Sequence, residues 1–228
     1  MDNLSIHPDR MRVVELFEPG NTIAWEFLSR FTWPWEALPG ISGFIQDFGN
    51  TPESCEYEQR PNNVWVHKTA TIAPSAFIGD TVIVGACAEI RHCAYIRKDA
   101  IIGSNTVVGN STELKNVILF DGVQVPHYNY VGDSILGFKS HMGAGAITSN
   151  VKSDHTPVSV ICGDNRIDTG LRKFGAILGD RVEVGCNCVL NPGCVIGSNT
   201  TIYPLSSVRG FIPANSIYKK QSEVAEKR

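Results

Sequence analysis

The chain lacks a basic surplus, a long apolar run and any disulfide-framework spacing. Its 20 Lys and Arg against 23 Asp and Glu leave a net charge of -3. That gives no electrostatic footprint for a nucleic-acid backbone. No apolar stretch approaches the ~18 residues that a membrane-spanning helix needs, so no membrane partner is expected. The opening "MDNLSIHPDRMRVVELF" shows no basic end followed by an apolar segment, so no secretory leader is expected. Seven Cys, an odd number at irregular spacing, predict reduced thiols and a cytoplasmic location. What is present is ordinary globular composition over 228 residues, enough for one medium-sized domain with a small appendage.

From residue 72 the chain keeps a beat of six. Ile72, Ile78, Val84, Ile90, Ile96, Ile102, Val108 and Leu114 carry it, and it resumes at Leu178, Val184, Leu190, Ile196, Ile202 and Val208. Four residues after each stands mostly a small or β-branched side chain, such as Ala88, Ala94, Thr106, Thr112, Cys188 and Thr200. Neither the 3.6 period of a helix nor the two of a strand gives a strict six. A fixed hexad is the signature of a β-solenoid, with three hexads to a triangular coil. Gly79, Gly85, Gly103 and Gly109, each following the aliphatic residue, are expected to serve tight corner turns.

Three segments frame the repeat. Residues 1–62 lack it and carry Trp25, Trp33 and Trp35, and "PWEALPGISGFIQDFG" reads as broken helix. This predicts a small helical cap over the open first coil. Residues 63–218 form the solenoid domain, with 151–175 as a loop ejected from it; such loops often carry function. Residues 219–228 form a charged tail that frays or turns into a short helix.

"VPHYNYVGDSILGFKSHMGAGAITSN", residues 125–150, breaks the rhythm with a coil of about seventeen. Counting by coils places Arg97 and Lys115 on one edge, a strand spacing of ~4.8 Å apart. Gly132 and Asp133 come next, then Ser149 and Asn150. Two cations so close repel unless an anion joins them, and phosphate is the usual partner of such a pair. The alternative is a solvated basic edge paired with Asp99 or Glu113. His127 can take a proton from an attacking amine or hydroxyl, with Glu113 fixing its tautomer. Backbone N–H groups of "MGAGA" can approach an oxyanion. The competing readings are a hydrogen-bonded structural His and small residues that merely fit corners.

These stretches resemble the left-handed parallel β-helix of hexapeptide acyltransferases. In particular, "NSTELKN", "VPHYNYVGDSILG" and "MGAGAITSN" are similar to the acetyltransferase domain of bifunctional N-acetylglucosamine-1-phosphate uridyltransferases and related sugar-1-phosphate nucleotidylyltransferases. The fold implied is all-β, with the left hand supplied by the resemblance. It implies N-acetylation of an amino-sugar 1-phosphate such as glucosamine 1-phosphate, with acetyl-CoA as donor and no metal. His127 corresponds to the general base, Glu113 to the acid beside it, and Ala144 to the N–H facing the acyl oxygen. Arg97, Lys115, Tyr130 and Asn150 correspond to sugar-phosphate ligands, and His141 stands in that site where the bacterial enzymes usually have Asn. Cys186, Pro204 and the Lys219 and Lys220 pair correspond to the cofactor groove between subunits of a homotrimer. Thr156 and Ser159 replace loop lysines that the relatives commonly have, with Lys152 and His155 nearby.

Residues 1–62 hold no Gly-rich nucleotide loop, so no nucleotidyltransferase activity is expected. Two other classes compete with the enzyme. One is a sugar-phosphate-binding solenoid that has lost turnover. The other is a zinc hydratase, which needs three His to a metal; His92, His127 and His141 are widely spaced, with no close pair in the coils.

Overall fold

A computed structural model describes residues 6–220 and 223–226, and the side chains of Lys220 and residues 223–225 lie outside that description. The hexads build a parallel β-solenoid. Coil follows coil at eighteen residues, as in Phe77 beside Tyr95 and Ile78 beside Ile96. The step shortens to seventeen where Leu119 pairs with Ile102 and Val131 with Leu114. Ile96, Ile102, Val108, Leu114, Val125, Val131 and Leu136 are fully buried in the interior. The small residues Ala88, Thr106, Thr112, Cys188 and Thr200 are equally buried at the corners.

The glycines act differently from the sequence expectation. The left-handed corner positions are taken by Cys87, Cys93, Asn105, Ser111, Tyr128 and Leu205, all at positive φ, while Gly79 and Gly109 are not among them. Gly109 is required by close approach instead: a Cβ there would run into the carbonyl of Pro126 on the next coil.

One side of the triangle is buried on both faces. Val82, Ile83 and Val84 are all buried, and so are Ala100, Ile101 and Ile102, then Val117, Ile118 and Leu119. The middle members Ile83, Ile101, Ile118, Ile135 and Ile177 form one ladder up the solenoid. Alternation points them outward, and the N-terminal segment covers them. The helix Ile41–Asp47 lies against the strands Phe77–Val84, Tyr95–Ile102 and Glu113–Leu119. Phe17 stacks on Phe120 at 4.8 Å, and Trp35 meets Phe174 at 5.8 Å. The cap's helices therefore cover a flank, driven by that apolar ladder, while Phe48 of the same segment packs on Trp65 of the first coil, so the expected cover over the first coil is also present.

An antiparallel strand closes one sheet at the start of the solenoid and another closes a second sheet at its far end. Tyr57–Arg60, placed by the sequence reading inside the helical cap, pairs with Val64–His67 at the start. At the far end Glu223–Glu226 returns against Ser216–Lys220, so the tail forms a strand where fraying or a helix was expected. The ejected segment folds as a hairpin, Ser159–Cys162 on Asn165–Asp168. The solenoid closes beneath it: Leu136 pairs with Leu178, and His141 with Glu183, 42 residues apart in sequence. All seven Cys are free thiols. No helix among the described residues is long and apolar enough to cross a membrane.

Candidate active site

His127 ends the strand Gln124–His127, and its side chain is exposed. Its backbone oxygen accepts from Gly145 N–H at 3.0 Å, which docks it on the Gly143 to Ala146 turn of the next coil. A second bracket comes from Asn129, which is 2% exposed. Its Oδ1 accepts from His127 N–H at 3.1 Å, while its Nδ2 donates to Gly143 O at 2.8 Å and Ala146 O at 3.0 Å. A buried amide with its oxygen and both amide hydrogens engaged fixes the two turns relative to each other. The sequence reading passed over Asn129, whose only signal was an Asn between two Tyr in the irregular coil.

Between those brackets the Ala144 N–H has no hydrogen-bond partner among the described residues. Nor does the imidazole of His127 bond any described protein group. Glu113 does not sit against it. The Glu113 carboxylate accepts from Arg97 Nη1 at 3.0 Å, and that hydrogen bond raises the Arg97 pKa still further. In the single chain, then, Glu113 orients Arg97 and not His127.

The expected cation column is changed in detail. A register shift after Ile96 brings Lys98, not Arg97, opposite Lys115. Lys115 is tied into a buried network. Its Nζ lies 3.0 Å from Asp133 Oδ1, with side-chain exposures of 15% and 5%. Asp133 also accepts from Asn116 Nδ2 at 2.9 Å and from Asn150 Nδ2. Asn150 in turn reaches the Tyr130 hydroxyl at 3.2 Å. Burial pushes the Tyr130 phenol up, and Asp133 adds to the shift. Lys115, Tyr130 and Asn150 are thus gathered in one cluster. Arg97 lies beside it, 45% exposed, with one donor engaged and four N–H groups unspent among the described residues.

His141 follows on the neighbouring coil, its Nδ1 2.9 Å from Glu183 Oε2. Further along the Ala144 corner the remaining residues fall in line. Asn187 N–H bonds Ala144 O, Leu205 N–H bonds Cys186 O, and Tyr203 N–H bonds Tyr218 O. Ala144, Cys186, Pro204 and Lys219 therefore occupy successive coils, a run of roughly 14 Å at the strand spacing. Cys186, Pro204 and Lys219 are exposed; the side chain of Lys220 lies outside the described residues. In the ejected segment Thr156 bonds Asp154 and Lys152. Among the described residues no group of three His, Cys, Asp or Glu is placed to hold a metal.

Residues 84–191 match the family described as the GMPPB C-terminal domain, and residues 175–210 match the bacterial transferase hexapeptide repeats. The "Bifunctional protein GlmU" of Methanococcus vannielii is 37% identical over 117 residues, covering 51% of this chain and 28% of that protein. The "Bifunctional sugar-1-phosphate nucleotidylyltransferase/acetyltransferase" of Sulfurisphaera tokodaii is 35% identical over 107 residues, 47% of this chain and 27% of that one. The chain thus spans under a third of the length of either relative. Among solved structures, the acetyltransferase domain of PglB from Neisseria gonorrhoeae, in complex with acetyl coenzyme A, is similar at 18% identity and a TM-score of 0.34. That likeness covers 72% of this chain and 57% of that one.

Proposed function

We propose that this chain, a hexapeptide-repeat, acetyltransferase-like domain matching the C-terminal part of the bifunctional GlmU proteins, transfers acetyl from acetyl-CoA to the amine of an amino-sugar 1-phosphate. One observation carries the reading: an exposed imidazole and an unpaired backbone N–H are fixed on adjoining turns by one buried amide, Asn129. His127 takes the proton that the amine loses on attack. The Ala144 N–H donates to the oxyanion as the thioester carbonyl becomes tetrahedral. The proton on His127 then passes to the departing thiolate.

Arg97 holds the sugar phosphate with the N–H groups that Glu113 leaves free. Tyr130 and Asn150 face the sugar, while Lys115 is largely spent on Asp133. The coenzyme lies along the row from Ala144 through Cys186 and Pro204 to Lys219, and a neighbouring copy in a homotrimer forms the opposite wall. The test is thiol release from acetyl-CoA with glucosamine 1-phosphate, and mass analysis of the sugar product. Acetylated sugar phosphate supports the reading. Binding of the sugar phosphate with no thiol release across a panel of acyl-CoAs means that the solenoid binds without turning over.

A further inference from the structure

The reaction just proposed involves two protons, and His127 accounts for one. An amine is largely an ammonium ion at neutral pH. It must shed one proton to gain a lone pair and a second as the new N–C bond forms. The second returns to the coenzyme thiolate; the first has to leave the site.

A second imidazole is built for that task. His141 lies on the coil above Gln124 and below Glu183, on the same strand path that leads into the Gly143 to Ala146 turn. His127 is three residues beyond Gln124, so the two His stations are separated by about 10 Å along the sheet. A carboxylate offers only acceptors, so at 2.9 Å from Glu183 Oε2 it is His141 Nδ1 that carries the hydrogen. This leaves the lone pair on Nε2. His127 has no such tautomer-fixing partner among the described residues, so the two imidazoles differ in kind.

The pair opens on a cavity of about 400 Å³ lined by Asn105, Gly122, Gln124, Lys139, His141 and Glu183. The charged groups facing it are Glu183 above and Lys139 at the preceding corner. Arg181 and Asp121 flank Lys139 on the adjacent coils, through backbone bonds from Arg181 N–H to Phe138 O and from Lys139 N–H to Asp121 O. Arg181 is itself engaged by Glu18 at 2.9 Å. Nothing in the solenoid's packing requires the pair: the His141 side chain is 35% exposed and that of Glu183 is 51% exposed.

We propose that the His141–Glu183 pair is a second proton acceptor, which converts the bound ammonium to the free amine. This rests on the acyl-transfer reading above. His141 Nε2 takes one proton from R–NH3+, giving R–NH2 and an imidazolium. The amine lone pair forms the N–C bond at the thioester carbonyl, the C–S bond breaks, and the second proton goes by way of His127 to the thiolate. His141 returns its proton to solvent. The products are the amide, the free thiol and one released proton, so atoms and charge balance.

The test is kcat/KM for glucosamine 1-phosphate from about pH 6 to about pH 9, for wild type, Glu183→Gln and His141→Asn. Glu183→Gln should lose about tenfold or more at the acid end, where the amine is protonated, and converge on wild type at the alkaline end, where it is free, while His141→Asn should show a steeper loss toward acid than at the alkaline end. A parallel loss at every pH, or no loss at all, overturns the second-acceptor role while leaving acyl transfer intact. Absence of turnover by wild type overturns the acyl-transfer reading itself, and this inference falls with it. Nitrogen NMR of the imidazole gives a check independent of turnover. Wild-type His141 should be the Nδ1–H tautomer and become mixed in Glu183→Gln; an Nε2–H tautomer in wild type contradicts the assignment.

Discussion

The side-chain amide of Asn129 donates to the carbonyl of Gly143 at 2.8 Å and to that of Ala146 at 3.0 Å, which ties the strand end at His127 to the turn on the next coil. The same amide group accepts from the His127 backbone, so one buried residue sets the distance between His127 and the turn that offers Ala144 N–H. The solenoid supplies rigidity, and this residue converts it into registration of two functional groups.

Asn129→Asp follows directly. A carboxylate keeps the acceptor for His127 N–H but cannot donate to Gly143 O or Ala146 O. Gly143 O keeps the turn bond from Ala146 N–H at 3.1 Å, while Ala146 O loses the Asn129 donor, at about 1–3 kcal/mol for a group left unsatisfied. Urea unfolding should show that loss, and kcat should fall further than KM changes. Unaltered stability would mean that the bracket is dispensable.

Asp133 is the centre of the neighbouring cluster, and its removal should be felt more strongly. Asp133→Ala strands Lys115, whose side chain is 15% exposed, and costs about 3–5 kcal/mol. Asp133→Asn keeps an acceptor for Lys115 and suits the left-handed backbone at this position, where φ is 48°, so it should cost less. Equal losses in the two variants, measured by denaturant midpoint, would contradict the network account.

The cap is latched by a carboxylate as well as by apolar packing. Asp180, 1% exposed, accepts from Glu18 N–H at 2.7 Å and Phe138 N–H at 2.8 Å, yet burial outweighs those bonds and pushes its pKa up. An acid raised above its unfolded value of about 3.9 stabilises the fold fully below that value and loses the contribution as pH rises through the folded pKa. The stability of wild type relative to Asp180→Asn should therefore decline as pH rises from about 4. A relative gain over that range would show that the two N–H groups prevail over burial.

Much of this architecture was legible because the hexad records the solenoid interior directly: Ile96, Ile102, Val108 and Leu114 are fully buried as their spacing demands. The seventeen-residue coil was legible too, since Leu114, Leu119, Val125 and Val131 mark its steps. The cap's position was less visible, although its signal was present. Ile83, Ile101, Ile118 and Ile135 stand outward beside interior residues, and outward aliphatic ladders need a cover.

Partner choice in the site was hidden for a physical reason. Counting coils gives backbone register, but a bulge after Ile96 moved Lys98 opposite Lys115, and the long Arg97 side chain then reached Glu113. The His141 and Glu183 contact was hidden by the ejected hairpin, which puts 42 residues between neighbours.

The proposed mechanism has His127 perform chemistry at the turn carrying Ala144. Its most direct test is kcat for thiol release from acetyl-CoA with glucosamine 1-phosphate, comparing wild type with His127→Ala, with oligomeric state and sugar-phosphate affinity followed in parallel. The expected result is a fall of about 10²–10⁴-fold in kcat with assembly and affinity retained. Turnover within about twofold of wild type would contradict it and remove His127 from the reaction.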